Sequence, residues 1–468
     1  MLIDAAHFRP RPLPRRIDFS VANALTPLIA RYYWELRRRR PRQRPPRCMS
    51  EHATIENSSA VAALKGLRVA LVVPSFSAHG GSERHLQMLL PALREAGAMV
   101  KVFSASSADT GVPGIETRQE ALRDSMGPWS RLRQAGAVAA LADEIAACAD
   151  VVEFQRVAPT ALCRALSRRM PTMLSVYTPE HTCPSRSRYL RRSSVDCNHA
   201  PGMSCLNIDR SEHCLSYQEG RRFSWRERVR SLLQMRRNAA QTRLLSMVTF
   251  NSSAVAGLYT QWVGKPRQAR VIWPPLEVGA ASEPVRDRKR IVFAGRIEGF
   301  KGALDLVPIL LELTDCYLDV CGDGSSLAAL QEQVRNSGLE ARVRFHGWRD
   351  RQSVSGMFAS AAIALVPSRC YEAWGMVGPE AIAQGCPVVA YDSGGIGEWC
   401  LPQFGTLVPV GDVKGLIAAA RLWLERMAHG LDTSSWREEA LRRWGMARFL
   451  REYAQSLLAA MAAYKAAR

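Results

Sequence analysis

The sequence predicts an α/β protein of two Rossmann-like, doubly wound domains facing each other across a cleft. Three observations predict it. At 468 residues the chain is too long for one ordinary core. Short apolar runs bounded by turn residues alternate with helical patterns along most of it, as parallel sheets require. A polar stretch with Gly and Pro, EVGAASEPVRDRKR, divides the alternating part in two. On this reading residues 1–60 are an extension and 61–277 a first domain carrying a Cys- and Arg-rich insert at 181–245. A second domain follows over 278–440, and 441–468 form a helix crossing back to the first.

Composition narrows the class. Hydrophobic content of 47% fits a globular protein, and 63 Lys and Arg against 43 Asp and Glu give a net charge of +20. The excess is local. The first fifty residues hold twelve Arg against Asp4, Asp18 and Glu35, and residues 183–243 hold thirteen Arg against five acids. Nucleic acid, anionic lipid headgroups and phosphorylated substrates would all suit such a field. No apolar run is long enough to span a membrane, and Arg31 and Glu35 interrupt the N-terminal apolar stretch, so a signal peptide is not expected. The twelve Cys are mostly scattered, with Cys316 and Cys321 inside apparent core strands, which suits a reducing cytoplasm.

The Pro/Arg-rich extension cannot build a core of its own. Its middle, FSVANALTPLIARYYWEL, reads either as an amphipathic membrane-surface helix or as part of a disordered leader before Met49. GLRVALVVPSF opens the first domain as a buried strand, Gly80 and Gly81 make a tight turn, and an amphipathic helix runs to Gly97. The G-x-G-x-x-G spacing is missing there, so NAD is not expected. Further βα units surround ADVVEF and MPTMLSVY, and the loop after the second contains His181. In the insert, Cys183, Cys197, Cys205 and Cys214 accompany His181, His199 and His213, which invites a metal or disulfide reading. The absence of a C-x2-C pair favours loose thiols, and no metal site is expected.

The second domain begins with RIVFAGRIEGFKGALDLV, in which Arg296 and Lys301 bracket a loop and a helix starts at about Gly302. AAIALVPS and PVVAY are buried strands on either side of YEAWGMVGPEAIAQGC. Strand, loop, helix and strand put Glu372 to Gly375 at the carboxyl end of a parallel strand, where open α/β sheets bind ligands. Seven residues separate Glu372 from Glu380, so one carboxylate can face each end of an extended ligand. Ala373 and Gly375 leave room for backbone contact between them. Taken alone, two such glutamates read as a solvated helix-start residue and a satisfied core residue.

The whole stretch resembles the Glu-x7-Glu motif of retaining GT-B-fold glycosyltransferases of family 4, and Arg296 to Lys301 resembles their GR-x4-KG element. The resemblance implies transfer of a sugar from a nucleotide diphosphate to an acceptor hydroxyl. It assigns donor contacts to Gly80, Gly81, Arg296, Lys301, Glu372, Ala373, Trp374, Gly375, Met376 and Glu380. A reacting-sugar contact is implied for Tyr177, which stands where relatives carry a His, or for the nearby His181. The loop at Gly347 and Trp348 would seat the nucleobase. The resemblance implies neither cofactor nor metal, a nucleotide-sugar donor, a sugar or lipid-linked acceptor, and work on bacterial surface polysaccharide at the cytoplasmic face of the inner membrane. An anionic membrane surface is the expected partner of the basic tail and insert, and nucleic acid is not. The rival classes are an inactive scaffold or sugar-binding subunit of the same fold and a basic nucleic-acid-binding protein.

Overall fold

The computed structural model describes residues 60–468, apart from 74–80, 106–114, 123–127, 158, 216, 219–220 and 280–285. The extension over 1–59, including the membrane-surface helix expected there, lies outside the described residues.

Two parallel sheets organise the rest. The first holds β1 (Arg68–Val73), β2 (Met99–Ser104), β3 (Ile115–Thr117), β4 (Val151–Gln155), β5 (Thr172–Val176), β6 (Met247–Phe250) and β7 (Ala269–Val271). Their spatial order is β7-β6-β5-β4-β1-β2-β3. The second holds β8 (Asp287–Ala294), β9 (Tyr317–Cys321), β10 (Val343–Gly347), β11 (Ala361–Val366), β12 (Val388–Tyr391) and β13 (Gly405–Val408), in the order β10-β9-β8-β11-β12-β13. Each is doubly wound, with the strand order reversing between β1 and β4 and between β8 and β11. Such switch points open a crevice at the carboxyl ends of the strands. The central strands are buried because helices cover both faces: all six residues of AAIALV in β11 are buried. The expected pair of Rossmann-like halves is what the chain forms.

The last helix, Met446–Ala466, leaves the second half and packs on the first. Phe449, Tyr453, Ala454, Leu457 and Ala460 join a core with Leu89, Leu93, Met173 and Met247. Beneath it lies a buried polar network. Glu153 on β4 is wholly buried and accepts hydrogen bonds from Gln155 Nε2 at 2.7 Å, from the Ser175 hydroxyl and from the Tyr453 hydroxyl. Burial pushes the Glu153 carboxyl from 4.5 up to about 7 despite these donors. Between those two values the unfolded chain releases this proton before the folded chain does, so stability falls as pH rises from 4.5 to 7. The contribution is about 3 kcal/mol. His85 and His181 oppose it, since burial holds both to about 4 and stability is lost as pH falls below 6.5. Glu153→Gln, which mimics the neutral carboxyl, should therefore raise Tm at pH 8 and leave it nearly unchanged at pH 4.5. Scanning calorimetry of both proteins checks this, and the difference between them cancels the histidines.

The insert is a compact unit. A hairpin pairs Tyr189–Leu190 with Val195–Asp196, and helices Ser204–Glu212 and Trp225–Gln241 enclose Leu206, Leu215, Leu232 and Met235. Ser224 and Glu227 form a capping box at the start of the longer helix. Arg188, 2% exposed, donates to the carbonyls of Thr182, Cys197 and His199 and so ties the strands of the insert together. Its four cysteines are free, and among the described residues no three His, Cys, Asp or Glu side chains stand as a metal-ligand set.

One element differs from the sequence expectation. No helix starts at Gly302. Two 3₁₀ turns, Gly299–Lys301 and Ala303–Asp305, precede a helix over Leu306–Glu312. Gly302 between them has φ +70°, and a Cβ there would stand 1.9 Å from the Pro367 carbonyl oxygen. That clash and the left-handed backbone demand glycine at this point.

Candidate functional site

At the switch point of the second sheet, the loop after β8 and the loop after β11 meet. The Lys301 ammonium pairs with Glu372 Oε1, which also accepts a hydrogen bond from the Ser368 hydroxyl at 3.2 Å. Partial burial disfavours the charged form of Lys301, but Glu372 outweighs it and holds the ammonium's pKa above its ordinary value. Arg296 lies close enough to oppose that shift. Its exposed guanidinium lies 5.1 Å from the centre of the Phe300 ring. Two cations and one carboxylate therefore gather at the carboxyl edge, with a charge balance suited to a polyanion.

The Glu372 loop is fixed from below by the loop after β12. Gly395 N donates to the Glu372 carbonyl at 2.7 Å, and the Ser393 hydroxyl donates to the Cys370 carbonyl at 2.5 Å. Gly394, at φ +56°, brings its Cα so near that a Cβ would sit 2.0 Å from the Glu372 carbonyl oxygen. Arg369 closes the other side. It makes a two-pronged pair with Asp305 at 2.7 Å to each oxygen, and Tyr391 donates to the same carboxylate at 3.0 Å.

The first half also shapes this loop. Tyr371 and Ala373 pack against its core, and Trp374, 3% exposed, stacks on Trp273 with ring centres 5.6 Å apart. Glu398 reaches across from the second half to the helix Ser253–Trp262. Its carboxylate accepts from Ser253 N at 3.0 Å, Ala254 N at 2.9 Å and Trp273 Nε1 at 2.7 Å. The Ser252 side chain accepts from Val255 N at 3.1 Å, so three of the four open amides of that helix are satisfied.

The other sequence candidates are placed elsewhere. Glu380, on the short helix Val377–Ile382, stands 3.8 Å from Arg351 and lines a recess with Glu277, Val278 and Val354 from the linker and the helix before β11. Met376 caps the start of that helix, and Gly375 has φ +82°. Trp348 is 65% exposed beyond Gly347. On the first half, Gly81 begins the helix Gly81–Glu95, while Gly80 lies outside the described residues. The Tyr177 hydroxyl turns inward to Ser175 and Gln155, and its ring lies 4.8 Å from that of His85. His181 is 2% exposed on a 3₁₀ turn, its ring 5.8 Å from Tyr259. Beside it the carboxylate of Glu180 pairs with Arg156 at 2.5 Å. The structure thus joins Lys301, Glu372 and Arg296. It records no contact between that trio and Tyr177 or His181 among the described residues.

Sequence reasoning passed over Ser368 and Arg369, although both fall in the few residues between β11 and Glu372, where loop residues reach the site. Trp273 and the bonds of Glu398 carried no local signal.

Comparison with known proteins bears on the second half. Residues 280–440 match the family model described as glycosyl transferases group 1. The glycogen synthase of Mycobacterium tuberculosis is 32% identical over 151 residues, 31% of this chain and 36% of that protein. The lipopolysaccharide core biosynthesis glycosyltransferase LpsE of Rhizobium meliloti is 33% identical over 135 residues, 28% of this chain and 38% of that protein. The chain thus spans little more than a third of the length of these curated relatives. Among solved structures, Anabaena Alr3699/HepE in complex with UDP aligns over 84% of this chain and all of its own, with TM-score 0.61 and 17% identity. The galactosyltransferase WaaB of the lipopolysaccharide outer core aligns over 84% of this chain and 99% of its own, with TM-score 0.59 and 14% identity. These likenesses show the GT-B fold.

Proposed function

We propose that this protein is a retaining glycosyltransferase of family 4 that transfers a sugar from a nucleotide diphosphate to an acceptor hydroxyl. The observation that carries the reading is the half-buried Lys301–Glu372 pair with Arg296 beside it, at the carboxyl edge of the half that matches the glycosyltransferase model. As the donor's anomeric bond breaks, negative charge grows on the leaving diphosphate. Arg296 and Lys301 are the groups that stabilise it, so the reaction needs no metal. Glu372 binds hydroxyls of the donor sugar, and Glu380 the ribose. The leaving phosphate takes the acceptor's proton, which removes the need for a protein base. Trp348, exposed beside Gly347, offers a face to the base.

HepE has been solved with UDP and with UDP-glucose, which makes uridine diphosphate sugars the first donors to try. The acceptor is a sugar or lipid-linked sugar of bacterial surface polysaccharide, and the enzyme works as a peripheral protein at the cytoplasmic membrane face. Among the described residues no helix is long and apolar enough to cross a membrane. The insert instead exposes Met203, Trp225 and Leu233 among exposed Arg226, Arg230 and Arg236, a composition suited to anionic headgroups.

The test is thermal shift with a panel of nucleotide sugars, with and without EDTA. A true donor at a hundred times its Kd stabilises the fold by about 2.7 kcal/mol, a rise in Tm of a few degrees. We expect that rise to survive EDTA and to disappear in Arg296→Ala. No shift with any nucleotide sugar would overturn the reading.

A further inference from the structure

The insert belongs to the first half by sequence, yet it touches the cation-bearing turn of the second. Two contacts make the bridge. The Tyr189 ring meets Phe300 edge to face, with centres 6.1 Å apart, and the Ser194 carbonyl accepts a hydrogen bond from Arg369 Nη1 at 3.2 Å. Both residues lie in the 189–196 hairpin, whose turn holds Ser194 at φ +53°, a left-handed backbone in a non-glycine residue. Tyr189 is 6% exposed, so the docking is close.

Phe300 is the residue through which this contact can act. It stands between Arg296 and Lys301 in the chain, and its ring carries the Arg296 guanidinium on one side while Tyr189 abuts it on another. Its carbonyl accepts from Arg369 N at 2.9 Å and Cys370 N at 3.0 Å, two residues before Glu372. Arg369 has its fork committed to Asp305 and spends a remaining donor on the insert. Phe300 thus links a hairpin of the first half to Arg296 through its ring and to Lys301 through the chain.

We propose that Tyr189 is a positioning residue for the diphosphate-binding cations, acting through Phe300 on Arg296 and Lys301. The inference rests on the donor-site reading for the ligand, but not for the coupling itself. With the hairpin docked, the 299–301 turn is held and Arg296 keeps its platform. With it undocked, the turn gains freedom and the cations must be ordered by the ligand, which weakens binding. A first-half segment would in this way set how well the second half holds its anion.

The test uses the full chain and the substitutions Tyr189→Leu and Tyr189→Phe, each alone and with Arg296→Ala. Hydrogen exchange reads the coupling without ligand. Tyr189→Leu should speed exchange at the amides of Lys301, Gly302, Arg369 and Cys370 by about tenfold, and Tyr189→Phe should restore the wild-type rates. UDP titration reads the consequence. Tyr189→Leu should weaken binding by about tenfold, and by less than twofold once Arg296 is already alanine. Unchanged exchange in Tyr189→Leu, or an equal loss of UDP affinity in both backgrounds, overturns the inference. A wild-type protein that ignores UDP while Tyr189→Leu still speeds exchange supports the coupling and counts against the donor-site reading alone.

Discussion

Lys301→Ala is expected to lower glycosyl transfer by about a thousandfold or more, the largest single loss this site can show. The ammonium is half-buried and held charged by Glu372, so in the proposed reaction it meets the departing diphosphate partly shielded from water. Removing a preorganised charge from such a place costs more than removing one from an exposed loop. Alanine also strands the Glu372 carboxylate, which is 13% exposed and would keep the Ser368 hydroxyl as a partner. An uncompensated ion in that position costs about 3 kcal/mol. A fall in Tm of several degrees should therefore accompany the loss of activity. Glu372→Gln gives the converse case. It leaves a half-buried cation in want of an anion, so UDP should raise the Tm of this variant by more than it raises that of the wild type. Steady-state kinetics with calorimetry on the two variants would settle both. Full activity in Lys301→Ala would remove the chemical basis of the proposed reaction.

Glu398→Ala should produce the second large effect, in the relation between the halves. Three donors of the first half converge on this carboxylate, two of them helix amides. Hydrogen bonds to a charged group contribute about 1.5–3 kcal/mol each but do not add fully, so a loss of about 3–5 kcal/mol is expected. Glu398→Gln keeps an accepting oxygen but gives up the charge facing the helix start, and should lose about half as much. The amides of residues 253–255 should exchange faster in the alanine variant, and small-angle scattering should report a larger radius. An unchanged radius and unchanged exchange would mean that the halves are held by other contacts.

Much of the second half could be read from the chain. Strands such as AAIALV and PVVAY announce themselves as apolar runs, and loops at the carboxyl ends of neighbouring strands meet when the sheet forms, which is where Lys301 and Glu372 pair. Side-chain direction was less legible. The Tyr177 ring lies 4.8 Å from that of His85 and its hydroxyl near Ser175 and Gln155, in a network closed by Tyr453 from the far end of the chain. The short helix carrying Glu380 packs against Trp399 so tightly that a Cβ on Gly378 would lie 1.9 Å from that ring. Its rotation, and hence the direction of Glu380, is fixed by a residue that no periodicity connects to it. Contacts between halves leave no local trace at all, and the three donors to Glu398 come from 125 to 145 residues earlier in the chain. Nothing in the composition of the insert points to Phe300.

The closing helix has a practical consequence for anyone recombining this scaffold. Phe449, Tyr453 and Leu457 fill the opposite domain's interior although they are encoded after everything in their own. A chimera that swaps second halves by a single splice in the linker would import a foreign tail and leave its host with a groove that tail was never shaped to fill. Exchangeable modules must instead be excised at two junctions, near 278 and near 445, so that each first half travels with its own C-terminus.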